Sequence, residues 1–273
     1  MNSNSNEIDS VDSSRKSAMR YDEFLGPMFF EPYAIEVVGH IHPPSVSLAL
    51  EIAAGTGRVT RHLRKRISTS ARLIASDISE DMLAVAKEKL GDLEIDWQNI
   101  DAQQLPFDEN SIDLVVCCFG YMFVPDKPKA FAEAYRVLRP GGMLLFTTWD
   151  KLENNAASNV SRSVAKKYFE GALPESYNQA TSMYDEAVIR PLLENAGFTR
   201  ISVKKVQKNS ICSSAKEAAI GLVQSGSVFQ EIGKRNPAWI DEIIVTIEKE
   251  LSENFGAAPM IAPISAVISQ AWK

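Results

Sequence analysis

Two carboxylates and a turn of small residues stand at a spacing that suits a nucleotide-like ligand. An apolar run from Leu48 includes Glu51 near its end, and Ala53, Ala54, Gly55, Thr56 and Gly57 follow before a helical pattern opens at Arg58. Small residues let the backbone approach a ligand, and glycine also reaches positive φ at little cost. Asp77 closes a second strand-like run, 20 residues after Gly57. In a parallel sheet its carboxylate would come beside the first turn, where it could accept hydrogen bonds from a ribose diol. Taken singly, the turn is also an ordinary strand-to-helix connection and Asp77 an ordinary capping or solvated aspartate. Together they point to a ribose.

Other chemistries find little support. The three cysteines (Cys117, Cys118, Cys212) and three histidines (His40, His42, His62) do not make a disulfide scaffold or a recognisable metal-ligand set, so no metal is expected. Cys117 and Cys118 read as a buried strand pair. His40 closes an amphipathic segment, where a helix-terminal role competes with a catalytic one, and no general base is identified. With 29 basic against 35 acidic residues the net charge is -6, and the longest basic block, Arg61 to Arg66, is interrupted by His62 and Leu63. Nucleic acid is not the expected partner. The sequence shows neither an apolar signal core nor an apolar run approaching the roughly 20 residues of a membrane span, so a cytoplasmic setting is expected.

The elements that would position the two carboxylates can be read in order. Residues 1–14 form a polar, flexible tail. Residues 15–44 form an aromatic-rich helical cover of two short segments, interrupted at Gly26-Pro27 and stopped by Gly39 and Pro43-Pro44. Strands are expected over Val46 to Ile52, Ala71 to Ser76, Leu93 to Gln98, Ile112 to Cys118 and Met143 to Thr148. Helices are expected over Arg58 to Arg66, Asp81 to Leu90 with Ser79 as cap, and Asp126 to Leu138, ended by Pro140-Gly141-Gly142. This alternation predicts an α/β three-layer sandwich with a mostly parallel sheet. Beyond it come helical patches such as Val160 to Phe169, a Gly171-to-Asn178 loop, a helix over Tyr184 to Asn195 and a strand over Ile201 to Val206. Helices over Ser213 to Gln224 and Pro237 to Asn254 and a closing strand over Ile261 to Trp272 complete the chain. One domain over residues 45–273, with helical additions at about 150–184 and 210–254, accommodates all of this.

The words LEIAAGTGRVT, SDIS, DAQQLPF, SIDLVVCCFG and VLRPGG, in that order over Leu48 to Thr148, resemble the class I S-adenosylmethionine-dependent methyltransferases, in particular the group acting on small molecules, lipids and quinones. The resemblance implies a Rossmann-like seven-stranded, mostly parallel sheet, S-adenosyl-L-methionine as cofactor and a small organic methyl acceptor. It implies that Glu51, Ala53, Gly55 and Gly57 underlie the methionine and ribose portions. Asp77 would bind the ribose hydroxyls, Ile78 and Met82 would lie against adenine, and Asp101 would sit near the adenine amino group. Ala102 would offer backbone contacts and Cys118 would stand beside the methionine portion. Ala53 departs from the usual first glycine, a mild mismatch if the position needs small size without positive φ.

A nicotinamide-dependent oxidoreductase shares the glycine turn and the acidic residue, but its G-x-G-x-x-G fingerprint is broken at Thr60. A noncatalytic ligand-binding protein on the same fold is the other alternative. For the acceptor, the N-terminal cover and the additions after the fifth strand supply an apolar, aromatic lining. Tyr33 and Tyr121 are taken as substrate contacts, Tyr121 because it follows the Gly120 turn at the ligand end of the sheet. A helical cover could equally serve as the surface of a homodimer.

Overall fold

The computed structural model describes residues 15–169, 173, 176–225 and 227–273. The expected tail over residues 1–14 lies outside these, as do residues 171, 172, 174 and 175 of the expected Gly171-to-Asn178 loop, whose last three residues are helical instead. Strand-helix alternation resolves into β1 (Leu48–Ile52), β2 (Arg72–Asp77), β3 (Asp96–Asn99), β4 (Ile112–Cys118), β5 (Leu138–Trp149), β6 (Arg200–Cys212) and β7 (Met260–Trp272). They form one sheet in the order β3-β2-β1-β4-β5-β7-β6. The β1–β2, β1–β4, β2–β3 and β4–β5 pairs are parallel, and β7 runs antiparallel to β5. The mostly parallel seven-stranded sheet expected from the sequence is therefore present.

The helices are α1 (residues 15–39), α2 (Arg58–Arg66), α3 (Glu80–Leu90), α4 (Lys127–Val137), α5 (Ala156–Tyr168), α6 (Ser176–Gln179), α7 (Glu186–Ala196), α8 (Ala215–Gln224), α9 (Ser227–Arg235) and α10 (Trp239–Phe255). Several of them start at a short polar side chain that accepts an orphan backbone N–H group. Ser79 accepts from Met82 N at 3.3 Å, Asp126 from Lys129 N at 3.0 Å and Asp185 from Ala187 N at 2.9 Å. Gly197, at φ 109°, closes α7 in the left-handed conformation.

The chain divides into two compact units. The sheet unit comprises residues 33–151, 180–206 and 265–273. Its β4 is nearly all apolar, as a strand covered on both faces must be. On one face Ala49, Leu73, Leu114, Val116, Leu145 and Ile268 pack with Ala34, Val37 and Ile41 of the α1 region and Val59 and Leu63 of α2. On the other, Phe146 meets Phe131 of α4 at 5.3 Å between ring centroids. The second unit, residues 1–32, 152–179 and 207–264, is mainly helical in its described part. There α8 crosses α1 closely, because a Cβ on Gly221 would lie 2.6 Å from Phe24 Cβ. Arg235 stands over the Phe169 ring at 4.6 Å. This grouping cuts across the boundaries read from the sequence, since residues 15–32 cluster with 152–179 and 207–264 whereas residues 33–44 belong with the sheet.

Three local expectations need correction. Gly26-Pro27 does not interrupt the N-terminal helix, which is π-helical over Tyr21–Phe30 with Pro27 inside it. The Glu31 N–H donates to Gly26 O, five residues back, and this wider turn accommodates a residue that has no N–H and whose ring crowds an α-turn. Pro140-Gly141-Gly142 lies within β5 rather than before it. The β4–β5 register shifts between Ile112 and Leu114, and the chain end pairs there through Gly141 N to Lys273 O at 2.9 Å and Lys273 N to Gly142 O at 3.1 Å. Finally, β6 runs on to Cys212, and a separate helix, α9, precedes the long α10.

Candidate functional site

Register brings the ends of β1, β2 and β4 level, with Ile52 opposite Ser76 on one side and Cys117 on the other. Strand order reverses between β1 and β4, the point at which open α/β sheets leave a crevice. The turn after β1 is held by Ala54 N to Ser76 O and Ser76 Oγ to Glu51 O, both at 2.9 Å. Within it Ala53, Gly55 and Gly57 have φ of 55°, 57° and 80°. The expectation that Ala53 avoids positive φ is thus corrected: its Cβ is carried in the left-handed region, at a cost of about 1–2 kcal/mol. A side chain on Gly55 would meet nothing within 4 Å, so its backbone is open to a ligand. Gly57 has a packing role as well, since a Cβ there would lie 2.7 Å from Leu90 Cδ1 of α3.

Asp77 is the hinge of this constellation. Its Oδ2 accepts from Gly55 N and its Oδ1 from Ser79 N, both at 2.8 Å, so one carboxylate fixes the turns after β1 and β2. Each oxygen keeps a further lone pair, which is what a pair of ribose hydroxyls would require. Burial raises the Asp77 pKa, while the N–H groups of Ser79, Gly55 and Ile78 oppose the shift. Asn99, opposite Asp77 in the β2–β3 register, donates its amide to the carbonyls of Asp77 and Ile78, each at 2.9 Å. Ile78 is 69% exposed, an apolar side chain left at the rim, and Met82 is half-buried one turn on.

Glu51 is 1% exposed and its Oε2 has no hydrogen-bond partner. Burial lifts its pKa to about 8; the Asp77 carboxylate pushes the same way, and the Thr60 hydroxyl opposes them while itself lacking a partner of hydrogen-bonding geometry. Burial thus favours the protonated form of Glu51, whereas the backbone N–H donors on Asp77 favour its charged form. The loop after β3 carries Asp101 and the buried Ala102. Asp101 accepts from Gln103 N at 2.9 Å and Gln103 Nε2 at 3.0 Å, which holds its carboxyl below the usual range. Cys118, partly exposed, ends β4 opposite Thr147.

The two expected substrate contacts separate. Tyr33 is fully buried, donates its hydroxyl to Val206 O at 2.9 Å, and lies edge-on to Phe119 and Trp149 at 5.7 Å each. Tyr121 instead sits in the core, stacked on Phe131 at 4.5 Å and edge-on to Phe146 at 5.5 Å, its hydroxyl unpartnered. The short turn Tyr121–Phe123 that follows Gly120 buries the ring on the α4 side of the sheet. Sequence reasoning missed Phe119, which takes φ 58°, and Asn99; the only signal was an aromatic or a polar residue directly at a strand end. It also missed Asp150, 1% exposed, which accepts from Lys205 Nζ at 2.6 Å and Ser265 Oγ at 2.9 Å and so ties the end of β5 to the middle of β6 and of β7. Among the described residues no cluster of three metal-ligating side chains occurs.

A sheet with this strand order, a left-handed small-residue turn after β1 and an acidic residue ending β2 defines a nucleoside-binding α/β enzyme of the methyltransferase type. A methyltransferase domain family matches residues 50–146. The ubiquinone/menaquinone biosynthesis C-methyltransferase of Pseudoalteromonas translucida is 31% identical over 58% of this chain and 68% of its own length. The demethylmenaquinone methyltransferase of Staphylococcus haemolyticus is 32% identical over 68% of this chain and 83% of its own. Among solved structures, a phosphoethanolamine N-methyltransferase of Haemonchus contortus, in complex with S-adenosylhomocysteine, shares the fold. It has a TM-score of 0.59 and 19% identity and covers 95% of this chain and 57% of that one. The chain belongs to the class I S-adenosylmethionine-dependent methyltransferases. It is an enzyme that transfers a methyl group from S-adenosylmethionine to a small organic acceptor. No helix among the described residues is long and apolar enough to cross a membrane.

The residues present fit that cofactor. Gly55 leaves open space over its backbone, Asp77 retains acceptor capacity for a diol, and the unpartnered Oε2 of Glu51 is a buried acceptor awaiting a donor or a positive charge.

Proposed function

We propose that the acceptor is a planar, largely apolar ring of the quinone-precursor kind, and that the cofactor lies along the turn after β1. What carries the second part is the double role of Asp77, whose carboxylate organises the Gly55 and Ser79 turns yet keeps lone pairs for the ribose hydroxyls. Ile78 and Met82 would face the adenine ring, Asp101 its amino group and Ala102 its edge through the backbone. Glu51, Ala53, Gly55, Gly57 and Cys118 would line the methionine and ribose portions. The acceptor class is supported by the quinone-biosynthetic relatives and by the aromatic group Tyr33, Phe119 and Trp149 at the ligand end of the sheet. Tyr33 is retained as a lining residue. Tyr121 is retained only as the support beneath the Gly120 turn.

When bound, S-adenosylmethionine supplies an electrophilic methyl on a positively charged sulfonium and leaves as S-adenosylhomocysteine. The protein's own work is then alignment and exclusion of water, and no base among its residues is assigned to the proton that the acceptor gives up. Asp77 provides negative charge on the bed, Glu51 a buried carboxyl whose ionised form a bound positive charge would favour, and the buried aromatic group provides the dry wall. A cytoplasmic setting, a homodimer and the absence of a nucleic-acid partner complete the proposal. They rest on three free cysteines, the helical cover and the net charge of -6. The test is calorimetric titration with S-adenosylhomocysteine and, in parallel, NAD. Saturable binding of the first alone, weakened at least tenfold in Asp77→Ala, is expected. Undiminished binding in that variant would overturn the assignment of Asp77.

A further inference from the structure

Side chains alternate along β4. Leu114 and Val116 enter the core beneath α1 and α2, with Cys118 packed against the same cluster. Continued extended backbone would therefore send residue 119 to the opposite face, with Val115 and Cys117. Phe119 breaks the alternation. At φ 58° it is a bulky residue in the left-handed region, and its ring stacks on Trp149 at 4.0 Å and 21° and meets Tyr33 edge-on. Trp149 has the parity of Leu145, which belongs to the α1 and α2 face, whereas Thr148 points the other way, its hydroxyl on Met183 O at 2.7 Å.

Burial alone does not account for this. A relaxed backbone would have taken the Phe119 ring toward the face where Tyr121, Phe131 and Phe146 already cluster. The strained conformation instead puts it at the ligand end of β4, on the face that also carries Glu51 and Cys118. It is held from both sides. The Phe119 N–H donates to Thr147 O at 2.9 Å, and Gly120 is wedged against Ala53. Backbone strain that the surroundings over-determine is characteristic of ligand clamps and active sites.

We propose that Phe119 determines which acceptors this enzyme takes, its ring, backed by Trp149 and Tyr33, selecting a planar aromatic ring by stacking. The inference rests on the aromatic-acceptor reading above and adds the residue that enforces it. The probes are 2-naphthol and its saturated counterpart decahydro-2-naphthol, titrated into the full-length protein saturated with S-adenosylhomocysteine. The saturated compound is at least as apolar, so simple burial would not favour the flat one. Wild type should bind 2-naphthol ~3- to 10-fold more tightly. That ratio should fall to about one in Phe119→Leu and in Phe119→Gly, which also relieves the strained φ, and should survive in Phe119→Tyr. A wild-type preference unchanged in both ring-deleting variants would overturn the role of Phe119 while leaving the aromatic acceptor intact. Equal affinity for the two probes in wild type would sink the aromatic-acceptor reading itself. S-adenosylhomocysteine affinity within about twofold of wild type in each variant excludes loss of the fold as the cause.

Discussion

The methyl group of Ala53 lies where a side chain on Gly120 would have to go: a Cβ at position 120 would stand 2.5 Å from Ala53 Cβ and 2.7 Å from Cys117 Sγ. The turns that end β1 and β4 are thereby matched, one having given up its glycine where the other has kept one. Gly120→Ala should destabilise the protein by about 1–3 kcal/mol in urea unfolding. Ala53→Gly removes both the obstructing methyl and a left-handed alanine, and should be neutral or stabilising by up to about 1 kcal/mol. The double variant should lose less than the sum of the two, short of full rescue because Cys117 remains. Strict additivity would show that the two turns do not touch in solution.

Asp77→Asn keeps the size of the side chain and one oxygen acceptor but replaces the other oxygen with a donor. Either Gly55 N or Ser79 N then faces an NH₂ group. Unfolding free energy should fall by about 1–3 kcal/mol and S-adenosylhomocysteine affinity by tenfold or more. Loss of affinity with unchanged stability would mean that the carboxylate serves the ligand alone.

Glu51 sets a pH dependence of defined sign. Its folded pKa of about 8 lies above the ordinary 4.5, so between those values the folded state holds a proton that the unfolded state has released. Stability contributed by this group is complete below the unfolded value and declines as pH rises toward 8, by up to about 1.4 kcal/mol per pH unit. Glu51→Gln should flatten that slope, read from unfolding midpoints between pH 5 and pH 8 (roughly the window in which the linkage acts). Binding of a positively charged cofactor favours the ionised form. Titrations in buffers of different ionisation enthalpy should therefore show proton release in wild type and none in Glu51→Gln. Equal slopes in the two proteins would place the titration elsewhere.

Tyr33→Phe keeps the ring beside Phe119 and Trp149 and removes only the bond to Val206 O. A loss of about 1 kcal/mol in stability is expected, with cofactor affinity unchanged. A larger drop in affinity than in stability, measured by calorimetry and urea unfolding on the same preparation, would move the hydroxyl into the binding machinery.

Much of this protein was determined by its sequence alone. The apolar run of β4, the period of α2 and α4, the cap at Ser79 and the order of glycine turn, Asp77 and Asp101 depend on neighbours within a few residues. Hydrophobic period and capping chemistry are local, and they specify a doubly covered parallel sheet with an acidic side chain near a small-residue turn. Only the tertiary structure decided the rest. Pro27 lies inside a helix because the chain adopts the π-turn there, and Pro140-Gly141-Gly142 joins β5 because the distant Lys273 pairs with it. Tyr121 and Phe119, two residues apart, go to opposite faces because the left-handed φ of Phe119 reverses the strand's alternation, which no count along the chain reveals. Asp77 and Asn99, or Asp150 with Lys205 and Ser265, meet only once strand order is set. Long-range pairing selects those partners, and a single sequence carries no local trace of it.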